Sequence, residues 1–240
     1  MVHMEDLKNK VAYITGGSKG IGYGVAEKLI GAGMKVAISG RTLKSVEKAA
    51  EHLGDDSQVL AVESDVAAHG DEKKAVQQIL EKWGQLDVVL ANASVGHFAP
   101  IDEMADADWH QMIDTNLTGV FHTLQASVEA LKKSKGYYMT LASLAGCNFF
   151  AAGAGYNATK FGVVGFTQAA MLDLREYDIK VSTIMPGSVK THFSGNEPDS
   201  SDDWKIHPED IGELVLDLLK MHPRTLPSKI EVRPSRPDKK

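Results

Sequence analysis

The chain has 240 residues, of which 43% are hydrophobic and 24% are charged, and its formal net charge is −6. This length suits one α/β domain, and the composition excludes intrinsically disordered and fibrous proteins. The acidic balance disfavours nucleic acid and anionic membranes as partners, because both bind basic protein faces. The lone cysteine, Cys147, excludes an internal disulfide. With no apolar run of membrane-spanning length, these features predict a cytoplasmic protein.

Short apolar runs alternate with longer amphipathic stretches along the chain. The apolar runs predict seven strands, at Val11–Ile14, Val36–Ser39, Val59–Val62, Leu86–Leu90, Tyr137–Leu141, Lys180–Ile184 and Ile230–Val232. The intervening stretches predict helices at Gly22–Ala32, Leu43–Leu53, Asp71–Trp83, Asp106–Lys132, Ala154–Tyr177 and Pro208–Met221. This alternation predicts a single α/β domain, a Rossmann-type doubly wound parallel sheet of about seven strands with helices on both faces. Ligands of such sheets bind at the carboxyl ends of the strands.

Two segments depart from this alternation. Residues 188–207, between the sixth strand and the last helix, are polar and acidic, and we expect them to form a short substrate lid loop. Residues 233–240 contain two prolines and end in two lysines, which predicts a flexible tail rather than a partner site.

A glycine-rich turn follows the first predicted strand and opens the first helix. Glycines allow a tight turn and a close approach of phosphate to the backbone, and a helix N-terminus attracts a pyrophosphate. The turn therefore predicts a dinucleotide site, with contacts from Gly16, Ser18, Lys19, Gly20, Ile21 and Gly22.

The same residues also satisfy the Gly-x-Ser-x-Gly nucleophile elbow of α/β hydrolases, with Ser18 as the nucleophile. Asp173 and His207 are the candidate partners for such a triad. That elbow normally comes after several strands, whereas this turn follows the first. The position favours the dinucleotide site, with the hydrolase kept as an alternative.

The end of the second predicted strand indicates which dinucleotide binds. NAD sites tend to place an acidic residue there, which binds the ribose hydroxyls and repels a 2′-phosphate. This chain has Gly40 followed by Arg41. A guanidinium binds phosphate with two parallel hydrogen bonds, and Lys19 can reach the same group. We therefore expect NADP(H) as the cofactor.

Tyr156 and Lys160 lie four residues apart on a largely apolar helix face. A free phenol has a pKa near ~10, too high for proton exchange at neutral pH. An ammonium ~4 Å away attracts the phenolate by ~4 kcal/mol at an effective dielectric of ~20. We expect this attraction to lower the pKa of Tyr156 and make it a general acid/base. Ser143, just past the fifth strand, is placed to hydrogen-bond a substrate oxygen.

Other polar and aromatic residues are candidates for the same site. Asn116 lies inside the predicted helix Asp106–Lys132, where asparagine is unfavourable, so we expect it to bind a water or a freed carbonyl. The candidate substrate contacts are His97, Phe98, Phe149, Phe150 and Trp204. Their aromatic character favours an apolar carbonyl compound. The histidines show no metal-binding spacing, so we expect no metal.

Taken together, these motifs resemble the short-chain dehydrogenase/reductase family over nearly the whole chain. The family's Thr-Gly-x-x-x-Gly-x-Gly turn matches Thr15, Gly16, Gly20 and Gly22, and its catalytic tetrad matches Asn116, Ser143, Tyr156 and Lys160. The resemblance implies further cofactor contacts, with the adenosine at Asp65, Val66, Asn92 and Ala93, and with the nicotinamide side at Pro186, Gly187, Val189 and Thr191.

The chain departs from the family pattern at two places. The family's Asn-Asn-Ala-Gly after the fourth strand reads Ala91-Asn92-Ala93-Ser94, and the serine in place of glycine predicts an altered backbone turn. The substrate loop is short and acidic, which predicts a small lid. Neither departure involves the tetrad.

The resemblance implies an NADPH-dependent oxidoreductase that moves a hydride between the nicotinamide and a small-molecule carbonyl or alcohol. Tyr156 would exchange the proton, Ser143 would orient the substrate oxygen, Lys160 would lower the Tyr156 pKa and hold the ribose, and Asn116 would keep a water. It also implies a homodimer or homotetramer, paired through the helices at Asp106–Lys132 and Ala154–Tyr177. A non-catalytic NADP-binding regulator is a third alternative, disfavoured because all four tetrad residues are present.

Overall fold

All seven predicted strands form one parallel sheet. The computed structural model describes residues 7–237. Its strands are β1 (Val11–Ile14), β2 (Lys35–Gly40), β3 (Val59–Glu63), β4 (Val88–Ala91), β5 (Tyr137–Leu141), β6 (Lys180–Pro186) and β7 (Lys229–Val232). Their order across the sheet is β3-β2-β1-β4-β5-β6-β7, and each neighbouring pair is parallel. The predicted α/β architecture is confirmed.

Helices cover both faces of this sheet. They are α1 (Gly20–Gly31), α2 (Leu43–Leu53), α3 (Asp71–Trp83), α4 (Asp106–Ile113), α5 (Gly119–Ser134), α6 (Ala154–Leu174) and α7 (Pro208–Lys220). Helices α1, α2 and α7 enclose one hydrophobic core, and α3, α5 and α6 enclose the other. Along β1, Ala12 and Ile14 enter the first core while Val11 and Tyr13 enter the second. Because successive side chains of a strand point to opposite faces, a sheet covered twice requires unbroken apolar strands.

The predicted helix Asp106–Lys132 contains an interruption that the sequence pattern does not show. A π-helical turn, Asp114–Thr118, separates α4 from α5, with Asn116 at its centre. The Gly119 N–H donates to the Asp114 carbonyl, five residues back, instead of the usual four. Such widened turns are frequent at functional sites, so this turn marks Asn116 structurally.

The segment predicted as a lid, residues 188–207, contains two short 3₁₀ turns, Phe193–Gly195 and Ser200–Asp202. Its two ends are joined by backbone hydrogen bonds, from Lys190 N to the Ile206 carbonyl and from Ile206 N to the Ser188 carbonyl. The segment is therefore a loop between β6 and α7 whose two ends are hydrogen-bonded to each other. Of the predicted flexible tail, residues 238–240 lie outside the described part, while the Arg233 guanidinium pairs with Glu231 at 2.7 Å.

The strand order fixes where a ligand can bind. From the centre of the sheet, β1, β2 and β3 follow one another towards one edge, and β4 to β7 follow one another towards the other edge. The connections therefore diverge between β1 and β4 and leave a crevice at the carboxyl ends of these two strands. The glycine-rich turn follows β1 and Asn92 follows β4, so both lie at this crevice.

A carboxyl group is buried between α3 and the β1–β3 half of the sheet. The Glu72 side chain is 1% exposed, and its Oε1 accepts hydrogen bonds from the Tyr13 hydroxyl at 2.8 Å and the Ser64 hydroxyl at 2.7 Å. Its Oε2 is buried without a hydrogen-bond partner among residues 7–237. Burial raises the pKa of Glu72, because the charged form loses its hydration.

This buried carboxyl makes stability depend on pH. In the unfolded chain Glu72 has its ordinary pKa, so between the two pKa values the folded state binds more protons and the free energy of unfolding falls as pH rises. Glu72→Gln cannot titrate, so we expect the free energy of unfolding to fall less steeply as pH rises above the ordinary carboxyl pKa of 4.5, measured by urea unfolding. The exposed Glu51→Gln serves as the control and should keep the wild-type slope. A wild-type slope in Glu72→Gln would contradict this account.

Candidate active site

The glycine-rich turn between β1 and α1 has a backbone shape that requires glycine at several positions. Gly16 and Gly20 have positive φ angles of 64° and 57°, a region that side chains disfavour. A Cβ on Gly22 would lie 2.6 Å from Asn92 Nδ2 and 2.7 Å from the Gly16 carbonyl. The turn therefore packs against the end of β4 and leaves no room for a side chain at position 22.

Thr15 and Asn92 fasten the two strand ends at the crevice. The Asn92 amide donates to the carbonyls of Thr15 at 2.8 Å and Gly16 at 3.0 Å. In return, the Thr15 hydroxyl oxygen accepts from the backbone N–H groups of Asn92 and Ala93, both at 3.0 Å. From the sequence, Thr15 was expected only to match the first position of the Thr-Gly-x-x-x-Gly-x-Gly turn. Its structural role is to hold the β4 loop against the glycine turn.

The turn fits a phosphate group. Helix α1 begins at Gly20 with no side-chain cap from Lys19 and no acidic residue in its first turn, so its N-terminal N–H groups favour an anion. Ser18 Oγ lies 3.7 Å from where a Cβ on Gly40 would stand, which brings the turn beside the end of β2. Arg41 and Lys19 are both exposed there, and neither forms an ion pair with a residue in 7–237.

The other expected cofactor residues line the same edge. Thr191 approaches the glycine turn from the lid, its Cγ2 3.4 Å from where a Cβ on Gly20 would stand. Gly187 lies beside Leu144, and the Pro186 carbonyl accepts from the Ser143 hydroxyl at 3.4 Å. The remaining expected residues contact other parts of the protein. Ile21 packs on the first core, and Val189 forms a β-bridge with Ile206. Val66 packs against Gly119, and Asp65 Oδ1 accepts a hydrogen bond from Ala67 N.

Ser143, Tyr156 and Lys160 converge beyond the carboxyl end of β5. Ser143 caps a 3₁₀ turn, Leu144–Gly146, with its hydroxyl accepting from Ala145 N at 3.1 Å. Tyr156 and Lys160 come from the first turns of α6, and the Lys160 amine lies 5.5 Å from the Tyr156 ring centre. Lys160 is 2% exposed, and its Nζ donates to the Leu141 carbonyl at 3.0 Å.

Burial dominates the electrostatics of this group. It raises the pKa of Tyr156 to about 12, and the neighbouring Ser143 hydroxyl offsets part of that effect. It also lowers the pKa of Lys160 to about 7, because the buried ammonium loses its hydration. The expectation that Lys160 lowers the Tyr156 pKa is therefore wrong for this ligand-free structure. An amine that readily gives up its proton cannot supply the attraction that the sequence argument assumed.

The Asn116 side chain ties the π turn to the loop after β4. Its Nδ2 donates to the Val95 carbonyl at 2.8 Å and to Thr159 Oγ1 at 3.1 Å, and its Oδ1 accepts from Val95 N at 2.8 Å and Ser94 Oγ at 3.1 Å. All four hydrogen-bonding positions of the amide are thus used by protein groups. Ser94, expected to alter a backbone turn, instead contributes a side-chain contact to Asn116.

Two further residues of the site were missed by sequence reasoning. The buried Asn157 donates to the carbonyls of Ala145 at 2.7 Å and Asn148 at 2.8 Å, and so holds the turn that carries Ser143. Phe193, in the lid, places its ring 5.7 Å from that of Tyr156. An asparagine one position after the tyrosine was a signal for the first. Nothing local in the lid sequence indicated the second.

The aromatic substrate candidates take different positions. Phe98 lies 5.4 Å from Tyr156, ring centre to ring centre, and Phe150 lies 5.9 Å from Phe98. His97 uses both ring nitrogens towards α4, with Nε2 2.6 Å from Gln111 Oε1 and Nδ1 3.5 Å from Asp108. Phe149 is 84% exposed, and Trp204 lies half-buried in the lid beside Lys205. The Tyr156 ring thus has Phe98 and Phe193 as its aromatic neighbours.

Residues 7–237 contain neither a membrane-spanning helix nor a cluster of metal-ligating side chains. No helix there combines the length and the hydropathy that crossing a bilayer requires. No group of three or more His, Cys, Asp or Glu side chains is arranged to hold a metal ion.

Comparison with known sequences adds a family and several relatives. Residues 10–202 match the family model described as short chain dehydrogenase. An uncharacterized oxidoreductase of Staphylococcus saprophyticus is 31% identical over 238 residues, covering 96% of this chain and 100% of that protein. An uncharacterized oxidoreductase of Staphylococcus aureus is 32% identical over 232 residues, with the same coverage of both chains.

Solved structures agree with this assignment. An alcohol dehydrogenase from the archaeon Thermococcus sibiricus, complexed with 5-hydroxy-NADP, superimposes with a TM-score of 0.90 at 30% identity, covering 97% of this chain and 100% of that one. A 3-ketoacyl-(acyl-carrier-protein) reductase from Brucella melitensis, complexed with NADH, gives 0.86 at 26% identity, covering 96% and 99%. Both similarities extend over nearly the whole chain.

The close contact at Gly22 gives a stability test of the turn. The Cβ added by Gly22→Ala would displace either the Asn92 amide or the Gly16 carbonyl to which that amide is hydrogen-bonded. We therefore expect a loss of ~1–3 kcal/mol in the free energy of unfolding, measured by urea unfolding. Gly31→Ala, in the same helix, meets no atom within 4 Å and should stay within about 1 kcal/mol of wild type. Equal effects of the two substitutions would contradict the packing described.

Proposed function

The chain belongs to the short-chain dehydrogenase family, and from this premise we propose that it is an NADPH-dependent oxidoreductase acting on a carbonyl or alcohol. The single observation that carries the proposal is the convergence of the half-buried Ser143 and Tyr156 with the buried Lys160 beyond the carboxyl end of β5. Two structural relatives are an alcohol dehydrogenase and a 3-ketoacyl-(acyl-carrier-protein) reductase, which supports the same class of reaction.

Tyr156 is the proposed proton donor for carbonyl reduction. Its raised pKa of about 12 makes the phenol a weaker acid than a free one, but the alkoxide that hydride addition leaves on the substrate is a stronger base than the phenolate and can take its proton. Ser143, whose hydroxyl lies beside Tyr156, orients that oxygen and stabilises the charge that develops on it. The bound nicotinamide would supply the hydride. A protonated resting phenol suits reduction more directly than oxidation, which needs a base.

Lys160 and Asn116 support Tyr156 in different ways. The buried amine, with a pKa of about 7, can gain or lose a proton near neutral pH, and its proposed second role is to hold the nicotinamide ribose. Asn116 has no hydrogen-bonding capacity left in its side chain for a water. We therefore assign it to positioning, since it fixes the Val95 backbone and, through Thr159, the first turns of α6.

The preference for NADPH rests on the charges beside the glycine turn. Lys19 and Arg41 are exposed cations near the end of β2, and Gly40 stands where NAD sites tend to have an acidic residue. The structural relatives do not decide this point, because one was solved with an NADP derivative and another with NADH.

We further propose that the chain forms a homodimer or homotetramer through α5 and α6. A groove of about 290 Å³ between these helices is lined by Phe121, Leu124, Val128 and Phe166. Phe121 and Phe161 are exposed large apolar side chains on the same pair of helices. Apolar surface of this kind on long neighbouring helices is typical of an interface between copies.

The two alternatives from the sequence find less support. In a hydrolase Ser18 would need Asp173 and His207, but Asp173 lines the groove between α5 and α6, whereas His207 begins α7 on the other face of the sheet. A non-catalytic regulator would not require the side chains of Ser143 and Tyr156 to lie next to each other.

Removing the Tyr156 hydroxyl tests the reaction. Tyr156→Phe keeps the ring that packs against Phe98 and Phe193, so we expect NADPH binding to survive, while kcat for ketone reduction falls by ~10²–10⁴. Turnover is followed by NADPH absorbance, and binding by fluorescence titration. The exposed Tyr177→Phe should behave as wild type. Substantial turnover in Tyr156→Phe would refute the assignment.

Removing the Arg41 guanidinium tests the cofactor. A charge-assisted hydrogen bond contributes ~1.5–3 kcal/mol, so Arg41→Ala should weaken NADPH binding by about tenfold to a hundredfold and change NADH binding little. Lys48→Ala, which removes an exposed cation from the same region, controls for general electrostatics. Equal losses for the two cofactors in Arg41→Ala would count against a 2′-phosphate contact.

A further inference from the structure

Three segments bring aromatic rings to the Tyr156 side of the crevice. Residues 96–108 contribute Phe98, residues 144–153 contribute Phe150, and the lid, residues 188–207, contributes Phe193. Phe98 and Phe150 are 44% and 49% exposed, so their rings leave an apolar surface open beside Tyr156. A substrate that covers this surface would gain from burying it, which favours a compound with an apolar or aromatic body.

The same three segments carry the chain's excess of negative charge. Residues 96–108 contain four acids and no Lys or Arg, residues 144–153 contain no charged residue, and the lid contains four acids and two lysines. Their combined charge equals the −6 of the whole chain, so the remaining residues balance. The net negative charge of the chain thus equals that of the three segments that bring aromatic rings to Tyr156.

The lid lysines do not leave free positive charge at this opening. Lys190 pairs with Asp203, and Lys205 pairs with Asp202, both within the lid. Glu197 has only the His192 ring as a nearby cationic group, at 3.6 Å, and is 89% exposed. The four acids of residues 96–108 pair with no Lys or Arg of the described chain.

Direct contacts place the lid and the 96–108 segment at one opening. The Ser194 hydroxyl donates to the Gly96 carbonyl at 3.0 Å. The Phe193 ring packs against Gly96 so closely that a Cβ there would lie 2.6 Å from its Cζ. Ser194 has a φ of 55°, a strained conformation that this contact holds. The acids of both segments therefore contribute to the potential at the same entrance.

We infer that the substrate is an uncharged or cationic carbonyl compound with an apolar, aromatic-sized body, and that carboxylates and phosphate-bearing thioesters are disfavoured. This inference rests on the proposed function. A cleft with one sign of charge raises the local concentration of neutral and oppositely charged ligands relative to like-charged ones. The aromatic surface supplies the binding contacts, and the acidic rim supplies the selection by charge.

A matched set of ketones tests the inference. We would compare 4-acetylbenzamide, 4-(aminomethyl)acetophenone and 4-acetylbenzoate, which share an acetophenone body and are neutral, cationic and anionic. Acetoacetyl-coenzyme A extends the series to a phosphate-bearing thioester. We expect kcat/KM for the anions to lie at least about tenfold below that of the amide. The deficit should shrink at high salt, because the Debye length falls from ~30 Å at 0.01 M to ~3 Å at 1 M.

A second readout separates this inference from the proposed function. Calorimetric binding of the three acetophenones to the protein loaded with NADP⁺ requires no hydride transfer. If none is reduced, but the amide and the amine bind and the carboxylate does not, the proposed function fails and the inferred ligand class stands. Equal binding of all three, preference for the carboxylate, or no binding by any of them would overturn the inference.

A charge reversal locates the effect. Glu197→Lys places a cation at the lid and should raise the benzoate-to-benzamide ratio of kcat/KM, or of affinity, by several-fold. Glu51→Lys makes the same change in net charge on the exposed face of α2 and should leave the ratio unchanged. A ratio that moves equally in both variants, or in neither, would contradict an acidic entrance formed by the lid.

Discussion

Burial of the Lys160 amine beside the Tyr156 phenol is the constraint on which the site depends. Lys160 lies inside where α6 packs on the sheet, and its one hydrogen bond within residues 7–237 is to the Leu141 carbonyl. A fixed charge there would be costly, and the protein meets this cost by shifting both groups towards neutrality, with pKa values of about 7 for the lysine and about 12 for the tyrosine. Near neutral pH Tyr156 therefore keeps its proton, while Lys160 exchanges its own.

Three buried asparagines keep the loops around this pair in place. Strands end at the carboxyl edge of the sheet, and the loops beyond them have backbone groups that no neighbouring strand can satisfy. Asn92 bonds the carbonyls after β1, Asn116 bonds Val95 after β4, and Asn157 bonds the turn after β5. Each amide replaces hydrogen bonds that a sheet ladder would otherwise give, which is why polar side chains are buried at these positions. The rigidity of the crevice follows from side chains rather than from the sheet itself.

How much of this structure can be predicted from the sequence depends on how far apart along the chain the interacting residues lie. The apolar runs and the turn Gly16–Gly22 act locally, so seven strands, their parallel order and the place of the crevice follow from them. The π turn does not, because Asn116 is drawn inward by a partner 21 residues away. The direction of the Tyr156 pKa shift was also missed, since spacing on a helix reveals a neighbouring cation but not the desolvation of both groups. Phe193 reaches Tyr156 only through the tertiary path of the lid.

The negative surroundings of Tyr156 and its raised pKa are mutually consistent under the proposed function. Hydride addition to a carbonyl leaves negative charge on oxygen, and acids near the entrance make that charge less stable than it would be in a neutral pocket. A phenol that still carries its proton removes the charge as it forms, so the acid rim selects for proton transfer coupled to hydride transfer. A site that relied on a resting phenolate would suffer in this field, because the phenolate itself would be repelled. Under the proposed function, the acidic lid and the protonated tyrosine are therefore both suited to a neutral carbonyl compound that takes the phenolic proton as it accepts the hydride.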